Sequence, residues 1–106
     1  MPKYLFQVNY VGEGLKGLLK EGGSSRHAAT EKMVQSMGGT IEAYYFCFGE
    51  HDCYVIADFP DNATAAAVAL TVSASGAVVA KTTVLMTPEE LDIAVKKSPT
   101  YRAPGQ

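Results

Sequence analysis

The chain has 106 residues, a formal net charge of −2 at pH 7 and 47% hydrophobic residues. This length fits one domain, and the charged fraction of 19% is close to the globular average, which argues against intrinsic disorder. Because the chain has no excess of basic residues, we expect no nucleic-acid partner.

Targeting and membrane-spanning segments are not indicated. The N-terminus lacks a basic stretch followed by an apolar run, so no signal peptide is predicted. The longest apolar-leaning segment, residues 63–80, is rich in alanine and interrupted by serine, threonine and glycine. It is typical of a packed helix, so no membrane partner is predicted. We expect a cytoplasmic protein in which Cys47 and Cys53 are reduced thiols.

The first 40 residues contain one clear strand and one clear helix. Residues 3–10 (KYLFQVNY) alternate between two faces, which predicts a strand. Glycines interrupt the next segment and leave a short helical turn at 15–20. Ser24 and Ser25 are predicted to cap a helix that runs to about Met37 before Gly38-Gly39. Its predicted core positions are Ala29, Met33 and Met37.

The remaining residues predict three further strands, one helix between them, and a terminal helix. Residues 40–48 and 53–59 predict a hairpin around a polar turn at 49–52. Asp61 and Asn62 are candidate caps for a helix over 63–75, and a strand follows over 77–86. Thr87-Pro88-Glu89-Glu90 predicts the start of a helix that ends near Lys96-Lys97. Residues 98–106 are predicted to be a flexible tail.

The order β-α-β-β-α-β plus a terminal helix predicts an α+β, ferredoxin-like fold. It consists of an antiparallel sheet with two helices on one face, and it forms a single domain over residues 1–97. Alternate positions in the second, third and fourth strands are apolar on both sides. Since an uncovered apolar sheet face is unusual in a monomer, we expect a homodimer, or a higher oligomer, formed through this face. The alternative is that the terminal helix covers the face within one chain.

Several segments carry a resemblance to a known family. Residues 44–52 (YYFCFGEHD), an apolar strand and Pro60-Asp61-Asn62 resemble the bacterial GYD-domain family. The segments 72–77 (VSASGA) and 81–83 (KTT) do so too, and the likeness runs from Met1 to Val95. The resemblance implies a dimeric α/β-barrel of ferredoxin-like units and no established reaction. The family usually has tyrosine before the aspartate of its signature, where this chain has His51.

The predicted topology brings polar side chains to one end of the molecule, near the hairpin turn. They are Tyr10, Arg26, His27, Glu50, His51, Asp52, Ser73 and Ser75, with Lys81 slightly below on the fourth strand. We treat Tyr10, Arg26, His27, Glu50, Ser73 and Ser75 as candidate ligand-binding residues. His51, Asp52 and Lys81 are the candidate catalytic residues.

His51 and Asp52 are the sharpest catalytic candidates, because a nearby carboxylate raises the pKa of an imidazole and suits it to general base catalysis. Adjacent strand residues point to opposite faces, so the two side chains need not touch. The structural alternative is favoured: Asp52 stabilises the turn and His51 is solvated. On that basis we expect His51→Ala to leave folding intact. Lys81 stands among apolar neighbours and needs an acidic partner if it is buried.

Two other local patterns are weaker. Residues 22–27 (GGSSRH) place free amides and Arg26 at a helix start, which suits an anion, but a flexible loop with a helix cap explains the same residues. No phosphate-loop lysine pattern is present, and we predict no cofactor. Cys47, His51 and Cys53 are weak metal candidates in a spacing that matches no familiar zinc motif, and buried cysteine is the commoner outcome. Tyr44, Tyr45, Phe46 and Phe48 are candidates to line an aromatic pocket, but such residues are more often part of core and interface.

Three functional hypotheses remain. The first, which we favour, is an oligomeric binding protein that holds a small metabolite at the hairpin end or at the dimer seam. The second is a cofactor-independent enzyme, of the oxygenase or isomerase type, which rests on fold analogy. The third is a structural or interaction protein without a ligand.

Overall fold

The computed structural model describes residues 1–106 and contains four strands and four helices. The strands are β1 (Lys3–Tyr10), β2 (Thr40–Phe46), β3 (Cys53–Asp58) and β4 (Val78–Leu85). The helices are α1 (Glu13–Glu21), α2 (Gly23–Ser36), α3 (Asn62–Ala74) and α4 (Pro88–Val95). The predicted α+β class is confirmed, and all four predicted strands are present.

The strands form one antiparallel sheet in the order β2-β3-β1-β4. Strands β1 and β3, which hold all of the fully buried strand residues, occupy its centre. This order, with helices after β1 and after β3, is consistent with the predicted ferredoxin-like pattern. Two helices were predicted to cover one face of the sheet, and the structure has three. The additional one is α1, a separate helix between β1 and α2.

Side-chain alternation gives the sheet two different faces. Tyr4 and Phe6 of β1 point towards the helices, so we call that side the helix face, while Leu5 and Gln7 point to the other side, the open face. By register, the open face also carries Asn9, Ala43, Tyr45, Tyr54, Ile56, Val79, Lys81 and Thr83. The open face is thus largely apolar, with polar residues Gln7, Asn9, Lys81 and Thr83 among the apolar ones.

A β-bulge in β2 changes which residues share a face. The register shifts between Ile41 and Ala43, so Ile41 packs on the core together with Tyr44, while Ala43 lies opposite Ile56. Strict alternation had placed Ile41 and Ala43 on the same side. A bulge inserts one extra residue into a strand, and sequence alternation does not reveal it.

The core lies between the helix face and helices α2 and α3. Its buried residues are Tyr4, Phe6, Val34, Cys53, Val55, Ala57, Phe59, Ala65 and Val68. Phe59 packs against Tyr4 and Phe6 with ring centroids 6.1 and 6.0 Å apart. The buried Tyr4 hydroxyl donates to Oδ1 of Asn62 at 2.6 Å, so its desolvation is compensated.

The start of α2 differs from the prediction. The helix begins at Gly23 after Gly22, and no side chain caps it, so the predicted caps by Ser24 and Ser25 are wrong. The inward positions are also shifted. Met33 packs on the core as predicted, but Val34 is the buried residue of this helix, while Ala29 and Met37 are exposed.

The caps of α3 and α4 follow the prediction. Asp61 accepts hydrogen bonds from the Thr64 hydroxyl at 2.7 Å and from the Thr64 backbone N–H at 2.8 Å, and these two bonds hold the pKa of Asp61 below its usual value. Thr87 and Glu90 form a reciprocal capping box at the start of α4.

Helix α4 projects away from the rest of the molecule. None of its residues is buried, and Leu91, Ile93 and Val95 are 55%, 60% and 70% exposed. The radius of gyration is 16.9 Å, whereas a compact chain of this length has about 13 Å. The alternative that the terminal helix covers the open face within one chain is therefore wrong. No helix is both long enough and apolar enough to cross a lipid bilayer.

Candidate functional site

A cavity of about 800 Å³ lies between the helix face of the sheet and helices α1, α2 and α3. Of its 25 lining residues, 16 are hydrophobic, so most of the wall offers apolar contact. The apolar wall includes Phe6, Val8, Val55, Val68, Val72, Val78 and Ala80. The volume is typical of sites for small organic ligands.

Helix α1 closes one side of this cavity through glycine. A Cβ atom at Gly14 would overlap the carbonyl oxygen of Ala77, so only glycine allows the helix to lie this close to the start of β4. A neighbouring hydrogen bond holds the same two segments together, since the Val11 N–H donates to the Ala77 carbonyl at 3.0 Å. Gly14, Gly17 and Leu18 line the cavity from this helix.

Glycines also bound α1 at both ends. Gly12 and Gly22 have φ values of +51° and +83°, in the region that side-chain-bearing residues rarely adopt. These sharp turns let a nine-residue helix fit between β1 and α2. The glycines that made the segment look broken in the sequence therefore position a lid over the cavity.

Hydroxyl groups and one guanidinium cluster at the α2 side of the cavity. The Tyr44 hydroxyl lies 3.4 Å from Oγ1 of Thr30. The Tyr44 phenol and the Arg26 guanidinium are both close enough to the Tyr10 phenol to influence its pKa. Tyr10 and Tyr44 come from the helix face of β1 and β2, while Arg26 and Thr30 stand one turn apart on α2. All four line the cavity.

Burial keeps the titratable groups of the cavity floor protonated. It raises the pKa of Tyr10 and of Tyr44 above the ordinary phenol value of 10.0. It also raises the pKa of the Cys53 thiol to about 11. At neutral pH the two phenols are therefore neutral hydrogen-bonding groups. Cys53 is a protonated thiol, which argues against a nucleophilic cysteine.

The three candidate catalytic residues lie outside this cavity. His51 is only 6% exposed, and its Nδ1 is 2.8 Å from Oδ1 of Asn9, an open-face residue. Its ring packs edge-on against Tyr54, also on the open face. The expectation that His51 is solvated is therefore wrong. Lys81 is exposed on the open face of β4, opposite Gln7.

Asp52 and Glu50 serve the hairpin turn. Oδ2 of Asp52 accepts the Tyr10 backbone N–H at 2.9 Å, so this carboxylate ties the turn to the end of β1, the structural role expected of it. The Glu50 carbonyl accepts from Nδ2 of Asn9 at 3.1 Å. No hydrogen bond joins His51 to Asp52, whose side chains have separate partners.

The remaining ligand-binding candidates divide between the cavity and the surface. Tyr10, Arg26 and Ser75 line the cavity. The Ser75 hydroxyl is already used, since it donates to the Val72 carbonyl at 2.6 Å. Ser73 is exposed and absent from the cavity wall. His27 is half-exposed and stacks on Tyr44 with ring centroids 4.5 Å apart.

Cys47, His51 and Cys53 do not converge. The Cys47 thiol donates to the His51 carbonyl at 3.0 Å, while Cys53 is buried and lines the cavity on the helix face. The structure has no group of three or more histidine, cysteine or acidic side chains placed to hold a metal ion.

Sequence reasoning favoured a core or interface role for Tyr44, and it missed Thr30 and the whole of α1 as parts of the site. One signal was present for Tyr44, because a phenol on the helix face beside apolar neighbours needs a polar partner. Thr30 stands four residues after Arg26 in α2, so the two share one helix side. Nothing in the sequence shows that glycine in α1 permits close packing.

Comparison with known proteins gives one match. No curated protein and no solved structure matches the chain. The GYD domain matches residues 4–95, which is most of the sequence. The chain therefore belongs to the GYD-domain family.

Proposed function

We propose that this protein binds a small, largely apolar metabolite in the cavity beneath α1. The observation that carries the proposal is a cavity of about 800 Å³ with an apolar wall and a polar cluster at one side. Apolar contact supplies affinity in such sites, while a few placed polar groups fix the orientation of the ligand. Tyr10, Tyr44, Thr30 and Arg26 are suited to the second role.

Binding has more support than acid–base catalysis. A general base near neutral pH needs a side chain that accepts a proton there. Tyr10, Tyr44 and Cys53 hold their protons, and His51 lies across the sheet. The two carboxylates of the wall, Glu13 and Glu21, belong to exposed residues on the lid. The cofactor-independent enzyme is therefore the second hypothesis.

A filled-cavity variant tests the proposal. Ala80 lies on the cavity wall in β4, so Ala80→Phe places a ring in the binding space. N-phenyl-1-naphthylamine, a neutral apolar dye, is expected to gain fluorescence with the native protein and much less with this variant. Ala66→Phe on the exposed side of α3 is the matched control, with dye binding unchanged. No fluorescence gain with the folded native protein would sink the proposal.

We also propose that two copies of the chain assemble through their open faces, as in a dimeric α/β-barrel. The accessible surface is 7282 Å², about 1,500 Å² more than a monomer of 11.3 kDa is expected to have. A stable dimer buries about 800 Å² or more on each partner, so the excess is large enough for such an interface.

The surface available for this assembly is apolar in two places. Tyr45 and Val79 on the open face are 73% and 52% exposed. Helix α4 adds Leu91 and Ile93, and an isolated helix of eight residues is not stable in water without packing. A second copy supplies a surface for both regions, which supports a dimer in which α4 reaches across to its partner.

A further inference from the structure

We infer that the cavity prefers an apolar ligand that carries a single carboxylate, with Arg26 as the counter-ion. The inference rests on the proposed binding function and names the chemical class of the ligand. Arg26 is the only cationic residue on the cavity wall, since no lysine or histidine lines it.

Arg26 has no ionic partner within the protein. No carboxylate oxygen lies within 4.0 Å of its guanidinium, although the chain forms ion pairs elsewhere. The residue is partly buried, and its guanidinium is close enough to the Tyr10 phenol to act on the pKa of that phenol. A partly desolvated guanidinium without an anion is unfavourable, and a ligand carboxylate supplies two parallel acceptors that match its donors.

The neighbouring phenols complete the polar end of the site. Tyr10 and Tyr44 line the cavity beside Arg26, and each phenol has one proton to donate. A carboxylate at this point accepts from the guanidinium and from a phenol together. A neutral ligand of the same shape offers fewer acceptors and no charge, so it leaves the guanidinium without a counter-ion.

Two acidic residues on α1 disfavour a ligand that carries more than one negative charge. Glu13 and Glu21 line the cavity from the lid but are not ion-paired with Arg26. Glu13 pairs with Lys16 at 3.1 Å, and Glu21 accepts from the Ser25 hydroxyl at 3.3 Å. A second negative charge on the ligand would face these carboxylates, so the site favours a monoanion over a phosphorylated or dicarboxylate compound.

Matched probes test this selectivity. Naphthalene-1-carboxylate and naphthalene-1-carboxamide have the same ring system and nearly the same shape, and only the first is an anion. We expect the carboxylate to displace bound N-phenyl-1-naphthylamine at about one tenth of the concentration that the amide requires, because hydrogen bonds to charged groups are stronger. Arg26→Gln is expected to remove this preference, while Arg26→Lys retains part of it.

The experiment distinguishes failure of the carboxylate preference from failure of the proposed binding function. Lys20→Gln removes a cation that does not line the cavity, and the preference for the carboxylate should survive it. Equal displacement by the two probes, or a preference that persists in folded Arg26→Gln, would overturn the inference while leaving a neutral binding site intact. If the native protein fails to bind the dye and both probes, the proposed function fails as well.

Discussion

Nδ1 of His51 lies 2.8 Å from Oδ1 of Asn9, and this contact joins the hairpin turn to the last part of β1. The imidazole is buried against Tyr54, so the pair is a structural element at the edge of the open face. Asn9 also donates from Nδ2 to the Glu50 carbonyl, which fixes the orientation of its amide.

His51→Ala is therefore expected to destabilise the protein, contrary to what the turn position of the residue predicts. Removing the ring leaves Oδ1 of Asn9 without its partner, while Nδ2 keeps its bond to the Glu50 carbonyl, and the loss costs about 1–3 kcal/mol in the free energy of unfolding. Urea denaturation measures the change, with Lys81→Ala as a control at an exposed position that has no ion-pair partner. Equal stability of the His51 variant and the native protein would show that the contact contributes nothing.

Gly14 and Gly17 form a natural matched pair within α1. Gly14→Ala forces a methyl group against the Ala77 carbonyl, so we expect a loss of about 1–3 kcal/mol from overpacking and weaker dye binding. Nothing lies within 4 Å of a Cβ at Gly17, so Gly17→Ala should stabilise the helix by about 0.5–1 kcal/mol. Thermal unfolding of both variants gives the comparison, and a neutral Gly14→Ala would contradict the close approach of α1.

Cys53 is expected to resist alkylation. Burial raises its pKa to about 11 from a reference of 9.0, so little thiolate exists at pH 8. In a Cys47→Ser background, iodoacetamide should label Cys53 only slowly until the protein is unfolded, as measured by peptide mass spectrometry. Rapid labelling of the folded protein would contradict the buried position of this thiol.

The same thiol adds a pH dependence to stability. Because the folded-state pKa is raised, the unfolded chain loses its proton first, and the free energy of unfolding falls as the pH rises from about 9 towards 11. Cys53→Ala should show a smaller fall over this interval than the native protein. The difference between the two pH profiles isolates the thiol from other groups that titrate there.

If two copies assemble through the open face, substitutions on that face should weaken association, and substitutions elsewhere should not. Ile56→Glu places a charge at the centre of this face and is expected to give monomers by analytical ultracentrifugation. Leu70→Glu changes a residue of α3 that is 71% exposed, and it should leave the association unchanged. A native protein that sediments as a monomer at micromolar concentration would remove the basis for this proposal.

Local patterns predicted the strands and the caps of α3 and α4 because these features depend on neighbours in sequence. Strand alternation in residues 3–10 and the Thr87-Pro88-Glu89-Glu90 signal are examples. The segment 12–23 was misjudged because helix propensity counts glycine as a breaker, whereas in α1 the close approach to Ala77 requires glycine at position 14.

The candidate site was only partly predictable for a related reason. Topology places the hairpin turn and the start of α2 at the same end of the molecule, which brought Arg26 and His51 into one predicted group. Topology does not say on which side of the sheet each side chain lies. Arg26 lines the cavity on the helix face, while His51 contacts Asn9 on the open face.

The sheet is a single layer of strands, with the proposed ligand on one side and the proposed partner chain on the other. Along β3 the odd-numbered Cys53, Val55 and Ala57 face the cavity side, and the even-numbered Tyr54 and Ile56 face outward. Substituting every residue of this strand in turn should therefore give effects that alternate from one position to the next. Substitutions at odd positions would register as altered dye binding, and those at even positions as altered subunit number.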